Sequence, residues 1–272
     1  MITVAAGTYR TALTITARGS AHRPIFLCGQ GRVVIDGGRT TAAPVIDFRR
    51  AQYWRVLDLT VRNGTVGVRG SHAQQVTLQG LTITGSGRQG VWWRLDSTDN
   101  LVRETMITGT GRSGAAAGQG VAVGRPSATW CRPARCEPDE SDRNAVINSS
   151  VRRTTGSAVL AYEGTYNGVV DGNAIDGRGM AGSDAWVDIH GVSWTVSDNR
   201  GRHSPRDGFR SLRVYDGSGA GNRFSGNRGR DLDERREHGY LVALRPDRDA
   251  RLTCDNVVTD RSAPVSDRRC RR

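Results

Sequence analysis

Lysine is absent from this chain of 272 residues, so every one of its 39 basic side chains is arginine. Aromatic residues make up only 6% of the chain, and no apolar run reaches the 18 residues that a membrane-spanning helix needs. A sustained 3.6-residue apolar period is also missing, which predicts little helix. With hydrophobic residues at 36%, these shortages argue against a membrane span and against one deep globular core.

The charge balance is strongly basic, with a formal net charge of +12. Such a surface favours anionic partners, namely acidic polysaccharide, nucleic acid or an anionic membrane. The arginines are scattered through turn regions rather than clustered with aromatic residues, so no specific nucleic-acid site is expected. The expected partner is therefore an anionic polysaccharide, and we expect the protein to be a monomer.

Five cysteines fall into two local pairs and one odd residue. Cys131 and Cys136 flank RPAR, Cys254 and Cys270 bracket the tail, and Cys28 lies in the apolar stretch FLCG. We predict two disulfides and a buried free thiol at Cys28, because local pairs in an exported chain usually bond. Disulfides indicate a secreted or extracellular protein. The start, MITVAAGTYR, is not a signal peptide, so a leader is expected to be missing from this chain.

Internal repetition is the strongest pattern in the sequence. A strand start recurs at seven places: Gly67-Val68, Gly90-Val91, Gly120-Val121, Ala158-Val159, Ala185-Trp186, Gly208-Phe209 and Gly239-Tyr240. A small or polar turn residue recurs as an independent marker at Asp58, Gly80, Thr105, Ser149, Asn173, Asn199, Asn227 and Asn256. Both series share a minimum step of about 22 residues, which is typical of one structural coil per repeat.

Coils of two or three short strands cannot bury an apolar face alone, but stacked coils form a parallel solenoid with Val, Ile and Leu inside. Asn suits the turns because it tolerates left-handed backbone angles and can hydrogen-bond between coils. The alternative, an antiparallel sandwich, is supported by the hairpin-type pair Asn63-Gly64. We predict an all-β single domain over 1–272, with an inserted loop at 112–143 and a capping tail at 250–272.

Several segments resemble a known group of proteins. GTY, VIDGG, WRVLDLTVRNG, QGVWWRL and the repeated N-x-I/V turns are similar to the right-handed parallel β-helix proteins of the pectate-lyase-like superfamily. This resemblance implies a right-handed solenoid of roughly eight to ten coils. AVLAYEG and WVDIHG more narrowly resemble strands of the alginate lyase and chondroitinase B type, in which a lysine and an arginine on adjacent coils are catalytic. This chain has no lysine, and Tyr162 and His190 occupy the strand ends where one is expected.

A candidate site follows from aligning Val159 with Val187, although an alignment counted from Ala185 shifts the second strand by one residue. The first alignment gives two outward rows: Trp92, Ala122, Leu160, Asp188 and Arg210, and then Arg94, Gly124, Tyr162, His190 and Leu212. Glu163 lies beside these rows, and Gly124 leaves an open place for a substrate. The loop between Cys131 and Cys136 is expected to wall the groove.

The residue types on this face suit β-elimination in a uronic acid. Arg94 could neutralise the sugar carboxylate through a bidentate fork. His190 could act as the base and Tyr162 as the acid on the leaving oxygen, or the two roles could be exchanged. The expected substrate-binding residues are Arg210, Asp188, Glu163, Trp92 and Arg206.

Two other functions stay open. A glycoside hydrolase could draw a carboxylate pair from Asp188, Glu163, Asp184 and Asp207. A non-catalytic carbohydrate-binding or surface protein would use the same rows as solvent-facing charge ladders. No cofactor is expected. Calcium would need several acidic ligands on consecutive coils, and Asp188 with Glu163 gives such a site weak support.

Overall fold

The chain winds through ten coils, each of which contributes strands to parallel sheets that run the length of the molecule. The computed structural model describes residues 1–114, 118–131, 136–245 and 249–271. These residues contain no α-helix, and one 3₁₀ turn spans Ser127–Thr129. The fold is the predicted all-β, right-handed parallel β-helix.

Three sheets make up the solenoid. Sheet A consists of β1 (Ile2–Val4), β4 (Ile25–Gly29), β7 (Trp54–Leu57), β10 (Thr77–Gln79), β13 (Leu101–Arg103), β16 (Ala145–Ile147), β19 (Val169–Asp171), β22 (Thr195–Ser197), β25 (Arg223–Ser225) and β28 (Arg251–Leu252). Sheet B consists of β2 (Gly7–Arg10), β5 (Val33–Asp36), β8 (Thr60–Arg62), β11 (Thr82–Thr84), β14 (Met106–Thr108), β17 (Ser150–Arg152), β20 (Ala174–Asp176), β23 (Arg200–Arg202), β26 (Arg228–Arg230) and β29 (Val257–Val258). Sheet C consists of β3 (Leu13–Ile15), β6 (Ile46–Arg49), β9 (Val68–Ser71), β12 (Val91–Arg94), β15 (Val121–Val123), β18 (Val159–Ala161), β21 (Ala185–Ile189), β24 (Asp207–Leu212) and β27 (Val242–Arg245).

The interior is built from columns of identical or similar side chains. Because side chains alternate along a strand, every second residue points inward, and parallel register stacks it on the matching residue of the next coil. In sheet C the buried column is Val68, Val91, Val121, Val159, Val187, Phe209 and Val242. Each coil therefore completes its apolar cover only through its neighbours.

Buried asparagines link successive coils at the turn between sheets A and B. The Asn199 side-chain amide donates to Asn227 Oδ1 at 3.0 Å and to the Val170 carbonyl at 2.9 Å. Its own Oδ1 accepts from Asn173. The left-handed backbone angle falls one residue earlier, at Gly172 and Asp198, rather than at the asparagine itself. The predicted turn asparagines are confirmed as a ladder, but their role is side-chain hydrogen bonding.

Two of the sequence markers are displaced from the strand register. Val187, not Trp186, pairs with Val159, and Val242, not Tyr240, pairs with Phe209. Trp186 is fully buried and fills the space above Gly201, where an added Cβ would lie 2.2 Å from its ring. A large inward side chain therefore disturbed the repeated small-residue pattern at this coil.

The segment 112–143 and the tail have more structure than loops. β15 lies inside 112–143, so a rung of sheet C divides that segment in two. The tail adds β28 and β29 as a tenth coil, and the Pro264 carbonyl accepts from the Leu241 amide along the edge of β27. Disulfides join Cys131 to Cys136 and Cys254 to Cys270, as predicted. Cys28 is free but only partly buried, since it points outward from β4.

Candidate active site

The strand register brings the predicted face together. Leu160 pairs with Asp188, and Asp188 pairs with Arg210, so the alignment on Val159 and Val187 is confirmed. On the N-terminal side the same outward row continues through Ala122 and Trp92. This row lies along sheet C.

Tyr162 and His190 leave adjacent strand ends as neighbours. The Tyr162 amide donates to the Val123 carbonyl at 2.9 Å, and the His190 amide donates to the Ala161 carbonyl at 2.8 Å. These backbone bonds extend the ladder by one residue past β18 and β21. The two rings meet edge to face, with centroids 6.4 Å apart and planes at 84°. The predicted proximity of the phenol and the imidazole is therefore present.

His190 lies between two carboxylates. Its Nε2 is 3.2 Å from Asp188 Oδ2, and its Nδ1 is 3.5 Å from Glu163 Oε2. Both nitrogens are buried at ion-pair distance, although neither contact has hydrogen-bond geometry. Burial lowers the pKa of His190, but the charges of Asp188 and Glu163 outweigh it and raise the pKa to about 9. At neutral pH the ring is an imidazolium whose nitrogens face protein, not the cleft.

Arg210 forms ion pairs with Asp188 and Asp184 beside His190. Its guanidinium binds Asp188 with two bonds, at 2.8 and 2.6 Å, and reaches Asp184 Oδ2 at 3.0 Å. Burial raises the pKa of Asp188, but the charges of His190 and Arg210 and the hydrogen bonds from Arg210 lower it by more, so the carboxylate stays ionised. Arg210 is thus fully engaged by acidic side chains.

Asp184 is held in turn by Arg235. Arg235 Nη1 donates to Asp184 Oδ1 at 3.1 Å, and Nη2 donates to the carbonyls of Ala181 and Ser183. These bonds fix the turn 181–184 as one wall of the site. Counting Arg210, Arg235 and His190 against Asp184, Asp188 and Glu163 gives three positive and three negative charges, so this network is balanced.

Glu163 connects the site to the 3₁₀ turn. Its Oε1 accepts the Ser127 amide at 2.7 Å, and the side chain is 3% exposed. Burial raises the pKa of Glu163, but the ion-pair contact with His190 and the hydrogen bond from the Ser127 amide outweigh it and lower the pKa to about 2. Glu163 therefore faces His190 and the loop, and little of it is accessible to a substrate.

The same loop is tied to the coil beneath it. Asp139 is buried and pairs with Arg125 at 3.0 Å, while its other contacts include the Leu95 amide at 2.8 Å. Trp130 packs edge to face on Tyr215, with centroids 5.8 Å apart. No described residue of this loop lines the cleft described below, and the RPAR residues 132–135 lie outside the described residues, so the expected wall stays a prediction.

The Tyr162 hydroxyl has no hydrogen-bond partner among the described residues, although the side chain is largely buried. Burial and the charge of Glu163 raise the pKa of Tyr162 to about 12, and Arg88 opposes this rise. Arg88 is exposed, stacks over Trp92 at 5.9 Å, and forms no ion pair with any described residue. The face therefore offers an unpartnered phenol and an unpaired cation.

Three predicted residues lie away from this centre. Arg94 stacks on Trp92 at 4.5 Å, where burial and the charges of Arg69 and Arg125 lower its pKa. Arg206 lies beside buried Asp207 at 4.0 Å. Arg94, Trp92 and Arg206 do not line the cleft described next. The open place expected at Gly124 is filled, since an added Cβ would lie 2.6 Å from a Thr165 methyl group.

A cleft of about 290 Å³ opens over this network. Its lining brings together predicted and unpredicted residues, namely Gln119, Ser157, Leu160, Tyr162, Ala181, Gly182, Ser183, Asp184, Asp188, His190, Arg210 and Arg235. Sequence reasoning missed Arg235, Gln119 and Arg88 because they precede strands or lie in irregular turns outside the repeated register. Asp184 was considered only as a hydrolase carboxylate. The one usable signal was position, since Gln119 immediately precedes the marker Gly120-Val121 and Arg88 lies two residues before the marker Gly90-Val91.

No group of acidic, histidine and cysteine side chains suited to a metal ion occurs within the described ranges. The carboxylates of the cleft are instead paired with arginine or histidine. None of the described residues forms a helix long and apolar enough to cross a bilayer.

The solenoid has the parallel β-helix fold of the pectate-lyase-like superfamily. No protein-family model and no curated protein sequence matches the chain.

Among solved structures, the chain is similar to an alginate lyase from Paenibacillus sp. str. FPU-7, with 25% sequence identity and a TM-score of 0.86. That match covers 97% of this chain and 89% of the lyase. The pectate lyase Pel9A matches at 11% identity and a TM-score of 0.61, over 98% of this chain and 70% of that one. A GH136 lacto-N-biosidase from Eubacterium ramulus matches at 12% identity and a TM-score of 0.67, over 93% of this chain and 53% of the biosidase. The last two share the fold alone.

Proposed function

We propose that this protein is a lyase that cleaves an acidic, uronic-acid-containing polysaccharide by β-elimination, with Tyr162 as the proton-transfer residue. One observation carries the proposal: among the described residues that line the cleft, Tyr162 presents a titratable group with neither a hydrogen bond nor an ion pair. The neighbouring side chains Asp184, Asp188 and Arg210 are engaged with one another. Similarity to an alginate lyase over nearly the whole chain supports the same reaction class.

The reaction uses one proton twice. The Tyr162 phenolate takes the proton from the carbon next to the sugar carboxylate, and the electrons of that C–H bond form a C=C bond. The C–O bond to the leaving sugar breaks at the same side, and the leaving oxygen takes the proton back from the Tyr162 hydroxyl. The residue returns to phenolate, and no other acid is required.

The carboxylate of the sugar must be neutralised before its neighbouring C–H bond becomes acidic. Arg88 lies outside the cleft lining, but it suits this task because it is exposed, acts electrostatically on Tyr162, and has no ion pair with a described residue. Arg210 is less suited because Asp188 and Asp184 already occupy its donors. Arg94, held on Trp92, is placed to bind the polymer farther along sheet C.

His190 fits a positioning role better than the base role. Both ring nitrogens are buried against Asp188 and Glu163, and a pKa of about 9 keeps the ring charged at neutral pH. A charged imidazole cannot accept a proton. It compensates two buried carboxylates and supports the edge of the Tyr162 ring.

A glycoside hydrolase is supported less well. Such an enzyme needs a carboxylic acid whose pKa is raised, so that it can protonate the leaving group. The pKa values of Asp188 and Glu163 are both lowered, and Asp184 is bound by two arginines. Asp207 has a raised pKa, but it is fully buried and lies outside the cleft lining.

A panel of alginate, pectate, hyaluronan and chondroitin tests the proposal. A lyase releases one unsaturated uronate, followed by its ultraviolet absorbance, for each new reducing end, so the two signals should grow in a one-to-one ratio. Alginate is the first polymer to try, given the similar alginate lyase. Reducing ends without absorbance would point to a hydrolase. Retention in an affinity gel with neither signal would point to a binding protein.

We also propose that the protein works outside the cytoplasm. Its two disulfide bonds, Cys131–Cys136 and Cys254–Cys270, are consistent with an oxidising compartment. Expression with and without an oxidising environment, followed by thiol titration, checks this, because the native protein should show one free thiol per chain.

A further inference from the structure

Sheet B carries a surface of repeated arginines on a different sheet from the cleft. The outward rows of β23 and β26 pair Arg200 with Arg228 and Arg202 with Arg230. All four side chains are exposed, and Arg152 of β17 continues the second row through Asp176. We call these five arginines the sheet B arginine grid. With Asp176 as the acidic residue between them, the grid has five positive charges and one negative charge.

The grid contains like charges in direct register, which costs stability in a sheet. Arg200 and Arg228 form no ion pair with any described residue, although adjacent strands hold them only about 4.8 Å apart. Arg202 is paired with Asp176 at 2.9 Å, and Arg230 lies 3.9 Å from Asp231. The fold elsewhere matches outward arginines with acids, as for Arg69 with Asp47 and Arg210 with Asp188. Arg200 and Arg228 thus depart from the pattern seen on sheet C.

A shallow groove runs beside these arginines. Its volume is about 280 Å³, and small residues, Ser150 and Ala174, precede Arg200 in the same outward row. Arg152, Arg202 and Arg230 also line the groove. Small floor residues leave room for an elongated chain, and the arginines offer donors along its sides.

We propose that the sheet B arginine grid is a second binding surface for an acidic polysaccharide, separate from the catalytic cleft. The identity of the polymer rests on the proposed function, since the grid would hold another part of the same substrate chain. Guanidinium groups repeated at the strand spacing fit a polymer that carries one carboxylate on each sugar. Single-stranded nucleic acid fits less well, because no aromatic side chain lines the groove to stack on bases.

The test compares two double variants that lose the same charge. R200S/R228S removes two members of the grid that form no ion pair with a described residue, and R10S/R32S removes two exposed arginines near the other end of sheet B. Both are made in a Tyr162→Phe background, so that bound polymer is not consumed. Retardation in alginate or pectate gels at low and moderate salt gives the dissociation constant. We expect R200S/R228S to weaken binding about tenfold and to reduce its salt dependence, and R10S/R32S to change it less than twofold.

Several outcomes would overturn the proposal. An equal loss of polymer affinity in both variants would show that total charge alone matters. Unchanged affinity in R200S/R228S would exclude the grid as a binding surface. A single-stranded oligonucleotide that competes as well as the polymer at equal charge would overturn the polysaccharide assignment. R200S/R228S should keep its thermal midpoint, since it removes a like-charge contact. The gel measurement needs no turnover, so failure of the lyase proposal stays distinguishable from failure of this one.

If the protein turns over the polymer, steady-state kinetics give a second test of the grid. In the Tyr162-containing protein, R200S/R228S should raise KM on long polymer several-fold and leave kcat/KM on a short oligosaccharide unchanged. The short substrate fills the cleft but cannot also reach sheet B. An equal loss on both substrates would contradict a separate surface.

Discussion

His190 shows how one buried charge can hold two neighbouring carboxylates in place. Its imidazolium lies between the Asp188 and Glu163 carboxylates, and removal of one partner from a buried ionic group is strongly destabilising. From the sequence alone, a histidine at this strand end suggests a base whose loss would spare stability. The burial of both ring nitrogens favours the opposite expectation.

His190→Ala should lower the free energy of unfolding by about 3 kcal/mol at pH 6. The folded pKa of about 9 lies above the unfolded value of about 6.5, so the stabilisation is full below pH 6.5 and is lost as the pH rises through 9. The difference between the two proteins should therefore shrink above pH 9. Urea unfolding at pH 6 and pH 10 measures it, with exposed His22→Ala as a control within 0.5 kcal/mol or so. A difference that does not depend on pH would contradict the charged state.

Tyr162 sets the expected pH dependence of turnover. Its pKa of about 12 means that the phenolate fraction grows about tenfold for each pH unit below that value. The logarithm of kcat/KM should rise with a slope near one from about pH 6 to pH 8, before loss of the His190 charge weakens the fold. Initial rates in buffers of constant ionic strength give this slope. A flat profile would exclude a free phenol as the base.

At the scale of the elements, the asparagine ladder links successive coils through buried side-chain hydrogen bonds. Asn199 is fully buried and connects Asn173, Asn227 and the Val170 carbonyl. An unsatisfied buried polar group costs roughly 1–3 kcal/mol, and Asn199→Ala leaves more than one.

Asn199→Ala should therefore destabilise the protein by about 3 kcal/mol or more. Thermal or chemical unfolding measures the change. Asn167→Gly is a suitable control, because Asn167 is exposed and its left-handed backbone suits glycine, so the change should be small. A similar effect in both variants would mean that the ladder contributes little.

The strands and their register were accessible to sequence reasoning because a solenoid repeats one pattern. Matching Val159 to Val187 was sufficient to place Tyr162 beside His190, since a slip of one residue would have exposed the apolar column. The alternative alignment from Ala185 arose because Trp186 breaks the small-residue marker. A buried tryptophan that fills the space over Gly201 has no signature in a pattern of strand starts.

The side-chain network of the site was less accessible for a physical reason. Glu163 is held by the Ser127 amide, and Asp184 by Arg235, so both partners come from irregular segments whose path the repeat does not determine. Arg88 is placed by a turn before β12. The sequence indicated which residues share a face, but ion-pair competition decided which of them stay free for a substrate.

At the scale of the whole molecule, the arginines behind the net charge of +12 are paired with acidic residues to different extents on the different sheets. On sheet C, arginines bind acidic partners and leave a balanced network around the cleft. On sheet B, three of the five grid arginines, Arg152, Arg200 and Arg228, form no ion pair with a described residue, while Arg202 and Arg230 each have an acidic partner. Composition therefore predicts attraction to polyanions, while the coil register determines where on the surface that attraction is concentrated.

The C-terminal tail runs along the edge of β27, the last strand of sheet C. The tail follows β27 by backbone hydrogen bonds, and Cys254–Cys270 closes a loop with a sequence separation of 16. Changing both cysteines to serine should cost about 3 kcal/mol by the loop-entropy relation, with kcat/KM unchanged at temperatures where the variant stays folded. Chemical unfolding and initial rates test this together. A loss of activity without a loss of stability would contradict a purely structural role.

The most direct test of the central claim is the rate of unsaturated-uronate formation by Tyr162→Phe, set beside Tyr166→Phe as the matched control. The Tyr162 hydroxyl has no hydrogen bond among the described residues, so the thermal midpoint should stay within a few degrees of the native protein in both variants. Loss of a proton-transfer group typically costs a factor of about 10² to 10⁴ in rate, which is the fall we expect for Tyr162→Phe. Tyr166 is exposed and lies outside the cleft, so its variant should keep full activity. A folded Tyr162→Phe protein that forms product at the native rate would contradict the claim.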